Sequence, residues 1–213
     1  LGKPIGMQDQ YAAAFGGLNW ITFESAGVTV QPLQLPMQTV RRLEGNLLLM
    51  FTGATHDSAE ILKHQPHSSQ EKKPVVIDSL HAAKELAHQA RELLSRGELD
   101  RFGALLDQAW KHKRKFAPGV STPLIDRCYE IARNNGALGG KIAGAGGGGF
   151  MLLYCEQDAS QRVERALEAE GLRRLGFHFE GDGGRVLFNA GLRLEQRRGE
   201  RAFAGVPAGG LAA

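Results

Sequence analysis

Three stretches in the middle of the chain repeat apolar residues every three or four positions, which is the spacing of one face of an α-helix. The first runs from Leu80 to Leu94 and the second from Leu99 to Trp110, with Arg96-Gly97-Glu98 between them. The third runs from Leu124 to Ala132 and follows Ser121-Thr122-Pro123, a sequence typical of a helix cap with proline in the first turn. The pattern predicts three amphipathic helices that need a sheet or one another as cover.

Shorter apolar runs predict strands. Leu47 to Phe51 is wholly apolar, as expected of a strand covered on both faces, and Phe150 to Cys155 is a second such run. Leu18 to Phe23 and Val28 to Leu35 are rich in β-branched and aromatic residues around the turn-like Glu24-Ser25-Ala26-Gly27, which predicts a hairpin. Further candidates are short helices over Asp9–Phe15, Ser58–Lys63 and Ser160–Glu170 and strands over Gly176–Phe179 and Val186–Phe188. This order of elements favours an α+β sandwich.

Two segments lack apolar periodicity. Gln65 to Pro74 combines prolines, serines and charges and is predicted to be a surface loop. Beyond Asn189 the chain is mostly Ala, Gly, Arg and Glu, which predicts a disordered tail. The chain opens with Leu1 and is expected to be a fragment of a longer one.

Composition narrows the class of protein. With 213 residues, 42% hydrophobic and 23% charged, the chain is expected to bury a core. Its two cysteines, Cys128 and Cys155, exclude a disulfide framework and a cysteine zinc site, and they favour a reducing, cytoplasmic setting. No apolar run approaches the roughly 18 residues that cross a bilayer, so a soluble protein is expected. The net charge of +3 is poor support for nucleic-acid binding, because four arginines and two glutamates beyond residue 190 account for +2 of it.

The most unusual stretch is Gly139 to Gly149, which holds seven of the 28 glycines immediately before an apolar strand. Glycine at this density permits positive φ angles and close backbone approach, and exposed amides there can form an anion-binding nest. A flexible linker or a tight strand connection would have the same composition, and the Lys-Ser/Thr ending of a P-loop is absent.

A second stretch, Gly2 to Asn19, contains Asp9 at a predicted helix start between Gln8 and Gln10. A carboxylate held by two amides can orient a hydroxyl nucleophile and accept its proton. Aspartate is also a favoured capping residue, so an ordinary N-cap explains Asp9 equally well in isolation.

Together the two stretches resemble the GHMP family of small-molecule kinases, which includes galactokinase, homoserine kinase and mevalonate kinase. Met7-Gln8-Asp9-Gln10-Tyr11 is similar to the family's aspartate segment, and Lys141 to Gly149 is similar to its glycine-rich third motif. The resemblance extends from about residue 2 to 189. Phe15-Gly16-Gly17-Leu18-Asn19 and Ala59-Glu60-Ile61-Leu62 most resemble bacterial heptose 7-phosphate kinases and related sugar kinases.

The resemblance implies transfer of the ATP γ-phosphoryl group to a sugar hydroxyl, for the heptose kinases that of D-glycero-D-manno-heptose 7-phosphate. Asp9 would be the catalytic aspartate, as general base or as orienting acceptor. The nucleotide-phosphate loop would consist of Gly144, Gly146, Gly147 and Gly148. The cofactors implied are ATP and Mg²⁺, and the partner is a sugar or sugar phosphate, with no nucleic acid and no membrane.

The fold implied is the C-terminal part of a GHMP kinase. Residues 1–44 would be a remnant of the N-terminal nucleotide-binding domain, with the catalytic helix and the hairpin. Residues 45–189 would form the C-terminal domain, a ferredoxin-like α/β sandwich with an antiparallel sheet, and residues 190–213 the disordered tail.

Two departures from the family pattern limit what the resemblance implies. The family's upstream Pro-x-x-x-Gly-Leu-Gly-Ser-Ser-Ala phosphate loop, with its magnesium-holding serine, is absent from this sequence, so the 213 residues alone are expected to have negligible kinase activity. His56 stands where relatives often have arginine after the Thr-Gly pair, and neutral histidine binds anions less well than a bidentate arginine.

Two other functions remain open at this stage. The chain can be a non-catalytic relative that binds a sugar or a partner protein. The run Lys111-His112-Lys113-Arg114-Lys115 can bind nucleic acid or border a sugar-phosphate site, but a solvated helix end, where cations complement the helix dipole, is the favoured interpretation.

Overall fold

A computed structural model describes residues 7–53, 74–115 and 118–185. His56, the predicted helix Ser58–Lys63, most of the predicted loop Gln65–Pro74, the candidate strand Val186–Phe188 and the predicted tail lie outside these ranges. The helices are α1 (Gln8–Phe15), α2 (Met37–Asn46), α3 (Pro74–Arg96), α4 (Leu99–Lys113), α5 (Pro123–Asn134) and α6 (Gln157–Glu168). The strands are β1 (Asn19–Glu24), β2 (Gly27–Pro32), β3 (Leu47–Phe51), β4 (Ala137–Ile142), β5 (Phe150–Cys155) and β6 (Arg173–Arg174).

The centre of the structure is an antiparallel four-stranded sheet in the order β4-β5-β3-β6. β3 is central and pairs with β5 from Leu47 opposite Tyr154 to Phe51 opposite Phe150. Helices α3, α4 and α5 lie between β3 and β4 in the chain, and α6 lies between β5 and β6. This sheet order and succession of elements is the ferredoxin-like β-α-β-β-α-β arrangement, so the predicted α+β fold with an antiparallel sheet is confirmed.

The sheet is covered on both faces. On one face, Leu48, Met50 and Leu153 are buried in the main core with apolar residues of α5 and α6. On the other face, Leu47 and Tyr154 pack with apolar residues of α2, α4 and the β1-β2 hairpin. Alternation of side chains along a strand explains the division, because successive residues point to opposite faces. The apolar run at β3 is therefore a two-sided strand, as its composition predicts.

The β1-β2 hairpin forms a separate two-stranded sheet, as predicted, with Phe23 opposite Val28. It rests on α3 through Trp20, whose ring lies 4.9 Å from the His88 ring and 5.0 Å from the Arg91 guanidinium carbon. The hairpin therefore buries one face against a helix, which a two-stranded ribbon needs for stability in water.

Helix α4 lies unusually close to β4 and β5 because glycines stand at the contact points. A Cβ added to Gly103 would lie 2.3 Å from Cδ1 of Tyr154, and one added to Gly139 would lie 2.1 Å from the carbonyl oxygen of Gly103. Neither glycine has a positive φ, so the requirement at both positions is for space. Two backbones can approach this closely only where no side chain separates them.

Several predictions agree with the structure in detail. Thr122 caps α5 by accepting a hydrogen bond from the Ile125 amide (3.3 Å), and Gly97 has a φ of +70° in the turn between α3 and α4. The end of α1 at Gly16, with a φ of +63°, also agrees with prediction.

Four sequence-based expectations were wrong or incomplete. Gly139 to Ile142 belong to β4 and are not part of a loop. The last strand is Arg173–Arg174. Gly176 to Phe179 are irregular, and the Phe179 amide donates a hydrogen bond to Glu44 of α2 rather than to the sheet. Asp9 lies in the first turn of α1, whose N-cap is Met7. Helix α2 was not predicted because Leu43 is its one fully buried apolar residue, too few to produce a stripe.

Replacement of Gly103 by alanine is expected to destabilise the fold by about 1–3 kcal/mol, because the new methyl group would collide with the Tyr154 ring. Gly45→Ala is the matched control: it also lies within a helix, and its Cβ would be 3.6 Å from the Gln157 amide nitrogen. There the substitution is expected to be neutral or to stabilise by up to about 1 kcal/mol, since alanine favours the helix. Urea unfolding of both variants measures the difference, and equal midpoints would contradict the close contact.

Candidate active site

The glycine-rich loop, residues 143–149, connects β4 to β5. Four of its glycines have φ angles that L side chains rarely adopt: Gly144 (+74°), Gly146 (+110°), Gly147 (+76°) and Gly149 (+83°). The backbone could not follow this path with ordinary residues, which explains the local composition. The loop therefore has a defined shape and is not a featureless linker.

Contacts at both ends of the loop fix that shape. The Gly147 amide donates to the Val120 carbonyl oxygen (2.9 Å), and the Gly149 carbonyl oxygen accepts from the amide (2.9 Å) and hydroxyl (3.0 Å) of Thr52. A Cβ on Gly146 would lie 2.6 Å from the Val120 carbonyl oxygen, so this glycine is required for space as well as for φ. The loop is thereby joined to the end of β3 and to the turn before α5.

Lys113, the last residue of α4, holds the beginning of the loop. Its ammonium group donates to the carbonyl oxygens of Ile142 (2.9 Å) and Gly144 (2.5 Å). Burial, together with a smaller effect of the positive charge of Lys141, lowers the pKa of Lys113 to about 8. Burial also lowers the pKa of Lys141. Two partly desolvated cations therefore lie near the beginning of the loop, close enough to repel each other.

Several loop amides have no acceptor. Within the described part of the chain, the amides of Gly144, Ala145, Gly146 and Gly148 donate no hydrogen bond, although Gly148 is buried. In a trans peptide the carbonyl and the following N–H point in opposite directions. Because the Gly144 carbonyl faces Lys113, the Ala145 N–H points away from Lys113. Such unpaired amides, in a loop that mixes positive and negative φ angles, can bind an anion.

Asp9 lies on α1 and is exposed to solvent. It makes no hydrogen bond or ion pair with any residue that the structure describes. Neighbouring Tyr11 packs edge-on against Phe23 of β1, with ring centroids 5.6 Å apart, and this contact fixes the helix on the hairpin.

The C-terminal end of α1 is held by the chain segment after β6. The Gly17 amide donates to the Glu180 carbonyl oxygen (2.7 Å), and the Gly184 amide donates to the Ala14 carbonyl oxygen (3.2 Å). Gly183 approaches so closely that a Cβ there would lie 1.9 Å from the Ala14 carbonyl oxygen. Residues 180–184 therefore form a return segment that fits against α1.

The structure brings Gly144, Gly146, Gly147 and Gly148 together in one loop, but Asp9 does not touch them. Across residues 7–53, 74–115 and 118–185, no hydrogen bond or ion pair joins α1 to the loop. A role for Asp9 and the loop in one pocket stays a prediction. Over the same ranges, no three His, Cys, Asp or Glu side chains are grouped to hold a metal ion, and no helix is long and apolar enough to cross a membrane.

Sequence reasoning missed Lys113 as part of this site, and it placed Lys141 at the start of the glycine-rich motif without giving its side chain a role. The basic run 111–115 was expected to face solvent, and Lys111, Arg114 and Lys115 are indeed exposed. Lys113 is the exception, because it turns towards the loop carbonyls. The only sequence signal for it is its position: it falls three turns after Gly103 on the helix that approaches β4 most closely.

Comparison with known proteins finds that the chain is similar to the C-terminal part of small-molecule kinases. Residues 90–173 match the family model described as GHMP kinases C terminal. A D-glycero-alpha-D-manno-heptose 7-phosphate kinase of Campylobacter jejuni is 33% identical over 171 residues, which are 80% of this chain and 50% of the relative. The chain thus spans about half the length of this curated relative.

Solved structures agree with this similarity. A D-glycero-D-manno-heptose 1-phosphate kinase of Bacteroides thetaiotaomicron matches 84% of this chain and 47% of its own, with 28% identity and a TM-score of 0.56. The mevalonate kinase of L. major, solved with R-mevalonate, matches 78% of this chain and 50% of its own, with a TM-score of 0.62. At 24% identity the latter similarity concerns the fold alone.

The contact between the loop and Val120 predicts different effects for two glycine substitutions. Gly146→Ala would place a methyl group against the Val120 carbonyl and is expected to break the hydrogen bond from the Gly147 amide. Gly144→Ala is the matched control, because its φ is also positive but nothing lies within 4 Å of its Cβ. Hydrogen exchange at the Gly147 amide is the readout. Exchange is expected to accelerate by about tenfold or more in Gly146→Ala, as for loss of about 1.4 kcal/mol of protection. An equal change in both variants would contradict the contact.

Proposed function

Because this chain carries the C-terminal domain of the GHMP kinases, we propose that it is the carboxyl-terminal part of an ATP-dependent sugar kinase. The reaction would transfer the γ-phosphoryl group of ATP to a sugar hydroxyl. The observation that carries the proposal is the loop at residues 143–149, with unpaired amides and two adjacent lysines. Phosphoryl transfer depends mainly on positioning reactants and neutralising developing charge, and such a loop supplies both.

Asp9 is proposed as the residue that engages the sugar hydroxyl. Its carboxylate is exposed and has no hydrogen-bond partner on the described chain, so it can accept a hydrogen bond from a substrate. It would orient the attacking oxygen and can take its proton as phosphoryl transfer proceeds. Tyr11 and the return segment would keep α1 in place while Asp9 acts.

The proposed substrate is a manno-heptose phosphate, and D-glycero-D-manno-heptose 7-phosphate is the first choice. Two relatives support this class, a heptose 7-phosphate kinase and a heptose 1-phosphate kinase. Their names differ in the position of the phosphate, so the class of sugar is better supported than the hydroxyl that is phosphorylated.

The loop suits the phosphates of ATP, because its free amides and the neighbouring ammonium groups are all hydrogen-bond donors. Gly144, Gly146, Gly147 and Gly148 would line the nucleotide-phosphate loop. Mg²⁺, which neutralises phosphate charge when bound, prefers oxygen ligands. The described residues offer no carboxylate cluster for it, and its ligands are proposed to lie upstream of this sequence, together with the main triphosphate loop.

The proposed division of the chain follows the same reasoning. Residues 1–44, with α1 and the hairpin, would belong to the nucleotide-binding domain, residues 45–189 to the C-terminal domain, and residues 190–213 to a tail.

The cell interior, where ATP is available, is the proposed location. By itself the 213-residue chain is proposed to have negligible kinase activity, since it lacks the family's main phosphate loop.

The test is phosphorylation of a panel of sugars and heptose phosphates with labelled ATP. The chain is assayed as it stands and again with its coding sequence extended upstream. Activity is expected in the extended protein, with a manno-heptose phosphate as the best substrate. Binding of the sugar without any phosphate transfer in the extended protein would instead support a non-catalytic binding protein.

In the extended protein, Asp9→Asn is expected to lower kcat by about a hundredfold or more with little change in KM, the usual range for loss of a proton acceptor. Asp158→Asn is the matched control. Asp158 is also an exposed aspartate in the first turn of a helix, and its replacement is expected to leave both constants within about twofold. Equal rates for the two variants would remove Asp9 from the mechanism.

A further inference from the structure

The two lysines at the glycine-rich loop lack the counter-charge that such a pair normally has. Neither Lys113 nor Lys141 forms an ion pair with a carboxylate in the described part of the chain. Carboxylates on the surrounding elements are engaged elsewhere: Asp107 pairs with Lys111 (2.6 Å), and Asp126 pairs with Arg114 (2.9 Å). Partly buried like charges are unfavourable unless an opposite charge compensates them, so an anion bound here would be stabilised by both lysines.

The two lysines differ in what they can do. The Lys113 ammonium group has three N–H donors, and two of them donate to the carbonyl oxygens of Ile142 and Gly144. Lys113 also lies at the negative end of the α4 dipole. Lys141 is half-buried on β4 and makes no hydrogen bond to any described residue. Its three donors are available to a ligand, only a few residues before the free amides of Gly144 and Ala145.

We propose that Lys141 is the cationic ligand of a phosphate group bound at the 143–149 loop, and that Lys113 is the positioning residue that orients the loop amides towards this phosphate. The inference rests on the proposed function and deepens it, because it assigns the side chains that hold the transferred or substrate phosphate. The shared chemistry is a phosphate monoester or its polyphosphate equivalent, supplied by ATP or by a sugar phosphate.

The positioning role of Lys113 follows from peptide geometry. Its ammonium group fixes the direction of the Gly144 carbonyl, and the planar peptide then fixes the opposite direction of the Ala145 N–H. Loss of the Lys113 charge would release this peptide. The charged group that acts on Lys113 is Lys141 from β4. The other charges nearby are paired with each other, Asp107 with Lys111 on the same helix and Arg114 with Asp126 of α5.

The experiment titrates the ¹⁵N-labelled 213-residue chain at pH 7 and low salt, with ATP in one arm and mannose 6-phosphate in the other. Shifts of the Gly144, Ala145, Gly146 and Gly148 amide signals report binding at the loop itself. Saturating shifts with ATP alone identify the nucleotide as the phosphate source, and shifts with mannose 6-phosphate alone identify the sugar phosphate. No shift in either arm would overturn the inference.

Variants then test the side chains. Lys141→Met is expected to raise Kd about tenfold, as for loss of one charge-assisted hydrogen bond of about 1.4 kcal/mol, and Lys141→Arg to restore most of the affinity. The matched control is Lys115→Met, which removes the same charge from an exposed position nearby and should change Kd less than about twofold. Equal losses in Lys141→Met and Lys115→Met would overturn the assignment, because they would indicate general charge attraction only.

The pH dependence tests Lys113. Since burial lowers the pKa of Lys113 to about 8, its charge is lost as pH rises through that value, and wild-type affinity is expected to fall between pH 7 and 9. A phosphate monoester with a second pKa near 6 keeps its charge over this range, so the ligand does not cause the fall. Lys113→Arg keeps its charge and should flatten the profile. An unchanged profile in this variant would exclude Lys113.

The kinase proposal and this inference can fail separately. If the extended protein transfers no phosphate while the loop amides still respond to ATP and Lys141→Met weakens that response, the phosphate site stands and the kinase proposal fails. If the extended protein is active but Lys141→Met and Lys141→Arg both bind and react as wild type does, this inference alone is overturned.

Discussion

The close approach of helix α4 to strand β4 is the constraint on which the site depends. Gly103 lies against the ring of Tyr154, and Gly139 lies against the backbone of α4 at Gly103 and Asp107. Because the helix is this near, its last residue, Lys113, reaches the carbonyl oxygens where β4 ends. One side chain inserted at either glycine would move the helix outward and separate Lys113 from the loop.

Polar contacts fix the position of α4 on the sheet along the direction of the helix axis. The Tyr154 hydroxyl accepts from the Asn46 amide (2.8 Å) and donates to Asp100 near the start of α4 (3.0 Å). Asp107 accepts from the Tyr129 hydroxyl of α5 (2.8 Å) and pairs with Lys111. Burial raises the pKa of Asp107, but the hydrogen bonds from Lys111 and Tyr129 outweigh it and lower the pKa overall.

The contacts of Asp107 make the stability of the fold depend on pH. Because the folded-state pKa of Asp107 is depressed, its contribution to stability is present at neutral pH and is lost as pH falls below its ordinary value near 4. The lysines at the loop destabilise the fold at neutral pH, since burial disfavours their charged forms, and this cost is relieved as pH rises through their lowered folded-state pKa. At neutral pH the contacts of Asp107 therefore stabilise α4, whereas the partly buried charges of Lys113 and Lys141 at the end of that helix are unfavourable.

The elements with strong local signals were predictable from the sequence. Stripes of apolar residues identified α3, α4 and α5, and the cap at Thr122 identified where α5 begins. Tertiary requirements were not predictable: Gly139 resembles its loop neighbours in composition, yet it lies in a strand that pairs with β5, and it is glycine because a helix passes close over it. Likewise, Lys113 resembles the solvated lysines of its run, and only the fold turns it towards the loop.

The two halves of the candidate site are supported by different contacts. The loop is held by Val120, Thr52 and Lys113, none of which belongs to α1 or the hairpin, so these contacts do not depend on α1. Helix α1 is held by the hairpin and by the return segment, residues 180–184.

The stretch from Leu175 to Gly184 connects these two parts. It leaves the sheet where the Leu175 amide donates to Leu49, and its Phe179 amide then donates to Glu44 of α2 (2.6 Å). That hydrogen bond, together with the one to His178, lowers the pKa of Glu44. Finally, it reaches Gly17 and Ala14 at the end of α1. Within the described chain, this stretch and the hairpin both contact α1, so both bear on where Asp9 lies relative to the loop.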